Sequence, residues 1–183
     1  MATEAPVETQ LAVQLQAPVI WQPGATASGP EASAAAVRAL ATAVSLAERA
    51  PNINEEATGL ELEVARLHQK THLLIELLAL ALARDVTRPA ITELHLSGSE
   101  CRWQSPAHSA PQGVGTLAIW LHPAAPEPLR WPAEITGVTP GTSWLQARLL
   151  LLGEAAQTAL DRYVFQLHRR AVAEARAARS ERR

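Results

Sequence analysis

Residues 55–84 carry the strongest pattern in the chain. Apolar positions step by 4, 3, 4, 3, 4 and 3 through Leu60, Val64, Leu67, Thr71, Leu74, Leu78 and Ala81, a repeat of 3.5 residues broken only by the threonine. That spacing predicts one long helix with Leu60, Leu67, Leu74 and Ala81 at d positions and Val64, Thr71 and Leu78 at a positions. At about 1.5 Å per residue such a helix is roughly 45 Å long, wider than a domain of this size, so it is expected to protrude. Towards its C-terminal end the flanks turn apolar as well, with Ile75 and Leu82 at e and Leu77 at g. A seam with greasy flanks is satisfied better by three or four helices than by two, so the chain is expected to be its own partner, as a homotetramer ahead of a dimer. Thr71 is a register-setting residue in that bundle. His68, His72 and Glu76 are four residues apart, but they occupy e, b and f, the flank or solvent side, and lack the His-Glu-x-x-His order. No metal site is assigned to them.

Composition narrows the classes. The 183 residues include a single cysteine, so no internal disulfide is available and a reducing compartment is favoured. No apolar run approaches the roughly 20 residues a bilayer crossing needs, and the start MATEAPVETQ lacks a basic n-region, so the expectation is a cytoplasmic chain without a membrane span. There is no phosphate-binding glycine loop, no cysteine pair and no nucleophile motif, so neither an enzyme nor a cofactor is expected. Residues 161–183 hold seven arginines against three acids, but no aromatic follows Phe165, so nucleic acid is not the expected partner. The bland reading is a solvated helix end that complements its own dipole. A sharper one has these arginines meeting Glu55, Glu56, Glu61 and Glu63 of a neighbouring subunit.

The remaining chain changes period. Alternation in residues 7–21 suggests a strand, QPGATASGPEAS a linker, and residues 32–50 an alanine-rich helix closed by Pro51, after which Asn54 is the expected N-cap of the long helix. From Pro89 short strands over 90–96, 100–104, 116–121, 129–138 and 143–152 alternate with turn clusters, and a last helix runs from Glu154 into the 170s. Five such strands suggest a small antiparallel barrel, in which Pro132 belongs at an edge or bulge. The fold class is therefore α+β. The domain expectation is an N-terminal strand and linker over 1–30, a helical oligomerisation insert over 31–88, and a barrel with its closing helix over 89–183. Trp103, Trp120, Trp131 and Trp144 are expected in the barrel core or rim, and Cys101 is an inert buried thiol.

The succession ITELHLSGSECRW, GVGTLAIWLHP, PLRWPAEITGV, SWLQARLLLL and EAAQTALDRYVFQLHRR resembles the PilZ domain, a receptor module for cyclic di-GMP. The closing helix carries a Leu-x-Arg-Tyr-Val element at Leu160, Arg162, Tyr163 and Val164. With the heptad helix before the barrel, the whole chain resembles the atypical, tetrameric PilZ proteins of xanthomonads. That resemblance implies that the strand in residues 7–21 can belong to the barrel. It also implies a nucleotide site built from an Arg-x-x-x-Arg element and an Asp-x-Ser-x-x-Gly element. Here Arg84 and Arg88 have the first spacing. At the second, Glu93 and His95 replace the aspartate and the small hydroxyl, and only Gly98 matches. Direct cyclic di-GMP binding is accordingly expected to be weak or absent, and the function is that of a signalling adaptor with a protein partner. The alternative is a working receptor that uses non-standard residues.

Overall fold

The computed structural model describes residues 11–24, 26, 28–47, 58–82, 87–105, 112–138 and 143–180. Nine elements follow in chain order: β1 (Ala12–Pro23), α1 (Pro30–Ala47), α2 (Gly59–Leu82), β2 (Ile91–Ser97), β3 (Glu100–Gln104), β4 (Gly113–Ile119), β5 (Leu129–Val138), β6 (Trp144–Leu149) and α3 (Glu154–Ser180). The six strands close into an antiparallel barrel in the order β1-β2-β3-β6-β5-β4. β1 closes it by changing neighbour: Ala12 to Pro18 pair with β2, and Val19 to Pro23 pair with β4.

The inward set of each strand is the one that alternation selects. Leu94, Leu96, Cys101, Trp103, Leu117, Ile119, Trp131, Leu145 and Ala147 are all buried. The core is completed by two helices, α1 through Ala36, Leu40 and Ala43, and α3 through Ala156, Leu160, Tyr163 and Val164. Packing therefore divides the stretch 31–88. α1 lies against α3 and β5 and belongs to the barrel, whereas α2 makes few contacts with the body and shares with it a small separate cluster among the described residues.

Two local expectations are corrected. Pro132 sits neither at an edge, which a closed barrel does not have, nor at the irregularity in the β5–β6 ladder, which falls at Ile135/Gly137. It is tolerated because it lies just past the end of β6. Its carbonyl accepts the Leu150 N–H at 2.8 Å, and the Leu150 carbonyl, which a proline cannot serve, takes the Trp131 indole N–H at 2.8 Å. The described helix α2 begins at Gly59, later than residue 55. Thr58 and Glu61 form a capping box, with the Glu61 carboxylate accepting from the Thr58 N–H at 2.8 Å and hydroxyl at 2.9 Å. Those two bonds hold the Glu61 carboxyl below its ordinary value. Asn54, Glu55 and Glu56 lie outside the described residues.

Burial pushes the Cys101 thiol up to about 12. A disulfide reagent at pH 8 is therefore expected to leave it untouched in the folded protein and to titrate one thiol per chain after denaturation. Rapid reaction in the native state would mean that the barrel opens readily.

Candidate functional site

Two surfaces carry the residues singled out in the sequence. The first is the outer face of β2, β3 and β6. Because Leu94 and Leu96 point inward, Glu93 and His95 point outward, and register brings Gln16 opposite Glu93 and both Gln14 and Arg102 opposite His95. The Gln14 side-chain amide donates to Glu93 Oε1 at 2.6 Å, and His95 Nε2 lies 3.5 Å from the same oxygen. The His95 ring meets Trp144 edge-on at 5.1 Å, and the Arg102 guanidinium lies 5.9 Å from the centroid of the same indole. The result is a continuous polar and aromatic strip over β1, β2, β3 and β6.

Glu93 and His95 are thus brought together, but Gly98 and Arg88 make other contacts. Gly98 sits in the β2–β3 turn beneath α3. Its carbonyl accepts from the Gln157 amide at 2.7 Å, and a Cβ there would come within 2.2 Å of Asp161 Oδ1. The glycine leaves room for the Asp161 carboxylate of the closing helix. Arg88 donates to the carbonyls of Pro123 and Ala125, and its Nε is buried without a hydrogen-bond partner. Its guanidinium is committed to the β4–β5 connection. Arg84 lies outside the described residues. Sequence reasoning did not single out Arg102 or Gln14, and it placed Trp144 in the barrel core or rim without a part in a site. Alternation marks each as outward-facing, but their meeting depends on cross-strand register between segments far apart in the chain.

The second surface is α2. Leu60, Val64, Leu67, Leu74 and Leu78 are between 58% and 75% exposed, and Thr71 and Ala81 are exposed as well. Leu73, Ile75, Leu77, Leu80 and Leu82 widen the bare apolar face over the last turns. The helix docks on its own chain by the b positions instead, with Ala65 and Ala79 buried and His72 half-buried, joined by Glu76 at f. The expected orientation of His72 and Glu76 towards flank or solvent is therefore corrected. These positions hold two alanines, of which Ala79 is small enough to let α2 lie close to Leu46, Ala124 and Ala125, and the larger seam residues are left outward. Among the described residues no group of three or more His, Cys, Asp or Glu side chains is placed to hold a metal ion, and no helix is long and apolar enough to cross a membrane.

The family model of the atypical PilZ domain, described as a cyclic di-GMP receptor, matches residues 37–177. Among solved structures the chain is similar to a pathogenic protein from Xanthomonas campestris, described as a new tetrameric PilZ domain self-assembled via an unusual helical bundle. The two share 28% identity over 91% of this chain and 92% of that one, with a TM-score of 0.65. No curated protein matches.

Proposed function

The chain belongs to the atypical PilZ domain family, and from that premise we propose that it is a non-catalytic adaptor of the cyclic di-GMP network that assembles through α2 and binds the nucleotide weakly or not at all. The observation that carries the assembly is the bare seam. Ten large aliphatic side chains of one helix, from Leu60 to Leu82, are at least 40% exposed in the single chain. Contiguous apolar surface of this kind marks an interaction face. A tetramer is preferred over a dimer because the exposed apolar set spreads beyond a and d to Leu73, Ile75, Leu77, Leu80 and Leu82, more than one partner helix covers. The tetrameric bundle described for the Xanthomonas protein supports the same reading. In this arrangement residues 31–88 are the assembly insert, with α1 rooting it in the barrel, and residues 89–183 with β1 form the receptor-type body in the cytoplasm. The Arg-rich end of α3 and the polar strip are the surfaces that would meet a protein partner.

Weak nucleotide binding is supported by the commitments of Arg88 and Gly98 and by the Glu93 and His95 replacements. If each missing bidentate arginine contact is worth ~1–3 kcal/mol, losing two weakens binding by roughly 30-fold to more than 10,000-fold. Calorimetric titration of cyclic di-GMP into the protein, with mass measured on the same sample, is expected to give no saturable heat and a tetramer. One observation favours the alternative receptor reading: Arg102 over Trp144, beside His95, is a platform on which a guanine can stack. Saturable heat that disappears in Arg102→Ala would establish that reading and overturn the first.

A further inference from the structure

α2 rests on a narrow seat. Its buried Ala79 meets Leu46 at the end of α1 and Ala124 and Ala125 of the β4–β5 connection. Beside that contact, His72 and Glu76 of α2 and His122 of the connection line one cleft of about 1080 Å3. The ring of His122 organises the turn on which the helix sits. Its Nδ1 accepts the Ala124 N–H at 3.1 Å, and its carbonyl accepts the Ala125 N–H at 3.0 Å. Arg88, which follows α2 in the chain, secures the same turn by donating to the carbonyls of Pro123 and Ala125. An accepting Nδ1 requires the neutral imidazole with its proton on Nε2. A proton placed on Nδ1 faces the Ala124 N–H, replaces an attraction with a repulsion, and puts a charge in a half-buried position.

We propose that His122 is a latch whose protonation releases α2 from the barrel, making the seating of this helix sensitive to mild acid. The inference concerns one chain and does not depend on the assembly or on nucleotide binding. The surroundings favour the neutral ring. From α2 it faces His72 and Glu76, which lie 3.6 Å from each other, so this carboxylate is shared with a second imidazole. From α3 come His168, Arg170 and Glu174, with Arg170 also donating to the Ala47 carbonyl at 3.2 Å. β1 contributes only the neutral Gln14 and Gln16. Burial holds His122 below its ordinary value of 6.5, the Glu76 carboxylate pulls it partly back up, and His72 pushes it down. The sign follows from linkage. Above pH 6.5 His122 is neutral whether α2 is seated or not, and the seat is at full strength. As the pH falls below 6.5 the unseated form takes up the proton first, so the seat weakens until the pH passes the depressed value of the seated form. Only the part of the depression that the seating of α2 causes enters the seating equilibrium, at about tenfold per unit.

The test uses the full chain with spin labels on Arg66→Cys in α2 and Arg130→Cys in β5, labelled protein being diluted into an excess of unlabelled protein. Buried Cys101 does not compete for label. Inter-label distances are measured at pH 8 and at the lowest pH that leaves the near-UV signal of the tryptophans unchanged. The expected result is one narrow distance at pH 8 that broadens in acid. In His122→Asn, whose side-chain oxygen can accept the Ala124 N–H without titrating, the distance should stay narrow at both. A distribution in the parent protein that is already broad at pH 8, or that does not change with pH, overturns the latch. Broadening that persists in His122→Asn also overturns it, by assigning the response to another group.

Discussion

Replacing Leu67 and Leu74 together with asparagine is expected to convert the proposed assembly into single chains of 19.6 kDa while leaving the barrel folded. Both leucines occupy d positions and are 66% and 67% exposed in the single chain, so they contribute almost nothing to its own core. Burying a leucine is worth ~1.5–3 kcal/mol, and each substitution acts on every helix of the bundle at once. In a tetramer the loss summed over eight sites is about 12–24 kcal/mol, before the cost of buried amides without partners is added. Substitutions at such exposed positions change the stability of the single chain by only about 0.5 kcal/mol. Light scattering should therefore report the single-chain mass, with the near-UV signal of the buried tryptophans retained. A tetramer that survives both changes would place the interface elsewhere.

The second large effect lies inside the barrel. Trp131→Ala is expected to lower stability by about 4–8 kcal/mol. Emptying a buried tryptophan site costs about 3–5 kcal/mol, and an orphaned carbonyl adds roughly 1–3. Trp131 is 1% exposed, and its indole N–H is the donor that Leu150 receives in place of the one Pro132 lacks. This gives the pair a specific signature. Trp131→Phe keeps most of the bulk and should lose about 1–3 kcal/mol through the unserved carbonyl. Adding Pro132→Val, which restores a backbone N–H opposite Leu150, should recover most of that loss. Urea unfolding of the three variants decides the matter. If the double variant is no more stable than Trp131→Phe, the indole is a space-filler and its hydrogen bond is incidental.

Much of this architecture is legible before any coordinates are considered. Periods of 3.5 and 2 residues are local properties, so the heptads of α2, the inward set of β2 to β6 and the buried face of α3 at Leu160 and Val164 can be read along the chain. The candidate nucleotide positions were legible as a pattern, and their use was not. Gly98 and Arg88 look like remnants of a ligand site, yet one accepts a hydrogen bond from α3 and the other holds the β4–β5 connection. Both roles involve residues 35 or more positions away, and no window of sequence contains them.

The same division explains α2. By itself the sequence determined that this helix has one leucine-rich seam, that a two-residue alternation of inward and outward positions builds the strands, and that a closing helix carries Leu160, Tyr163 and Val164. Only the tertiary structure decided which side of α2 its own chain would cover. The alanines at 65 and 79 have little hydrophobic weight in any periodic reading, yet both are buried, and the size of Ala79 admits close approach to Leu46, Ala124 and Ala125. Pairing register, likewise, brings Arg102, Trp144 and His95 together from three strands. Periodicity reports what a segment can bury. Which neighbour buries it depends on shape and on contacts between residues distant in the chain.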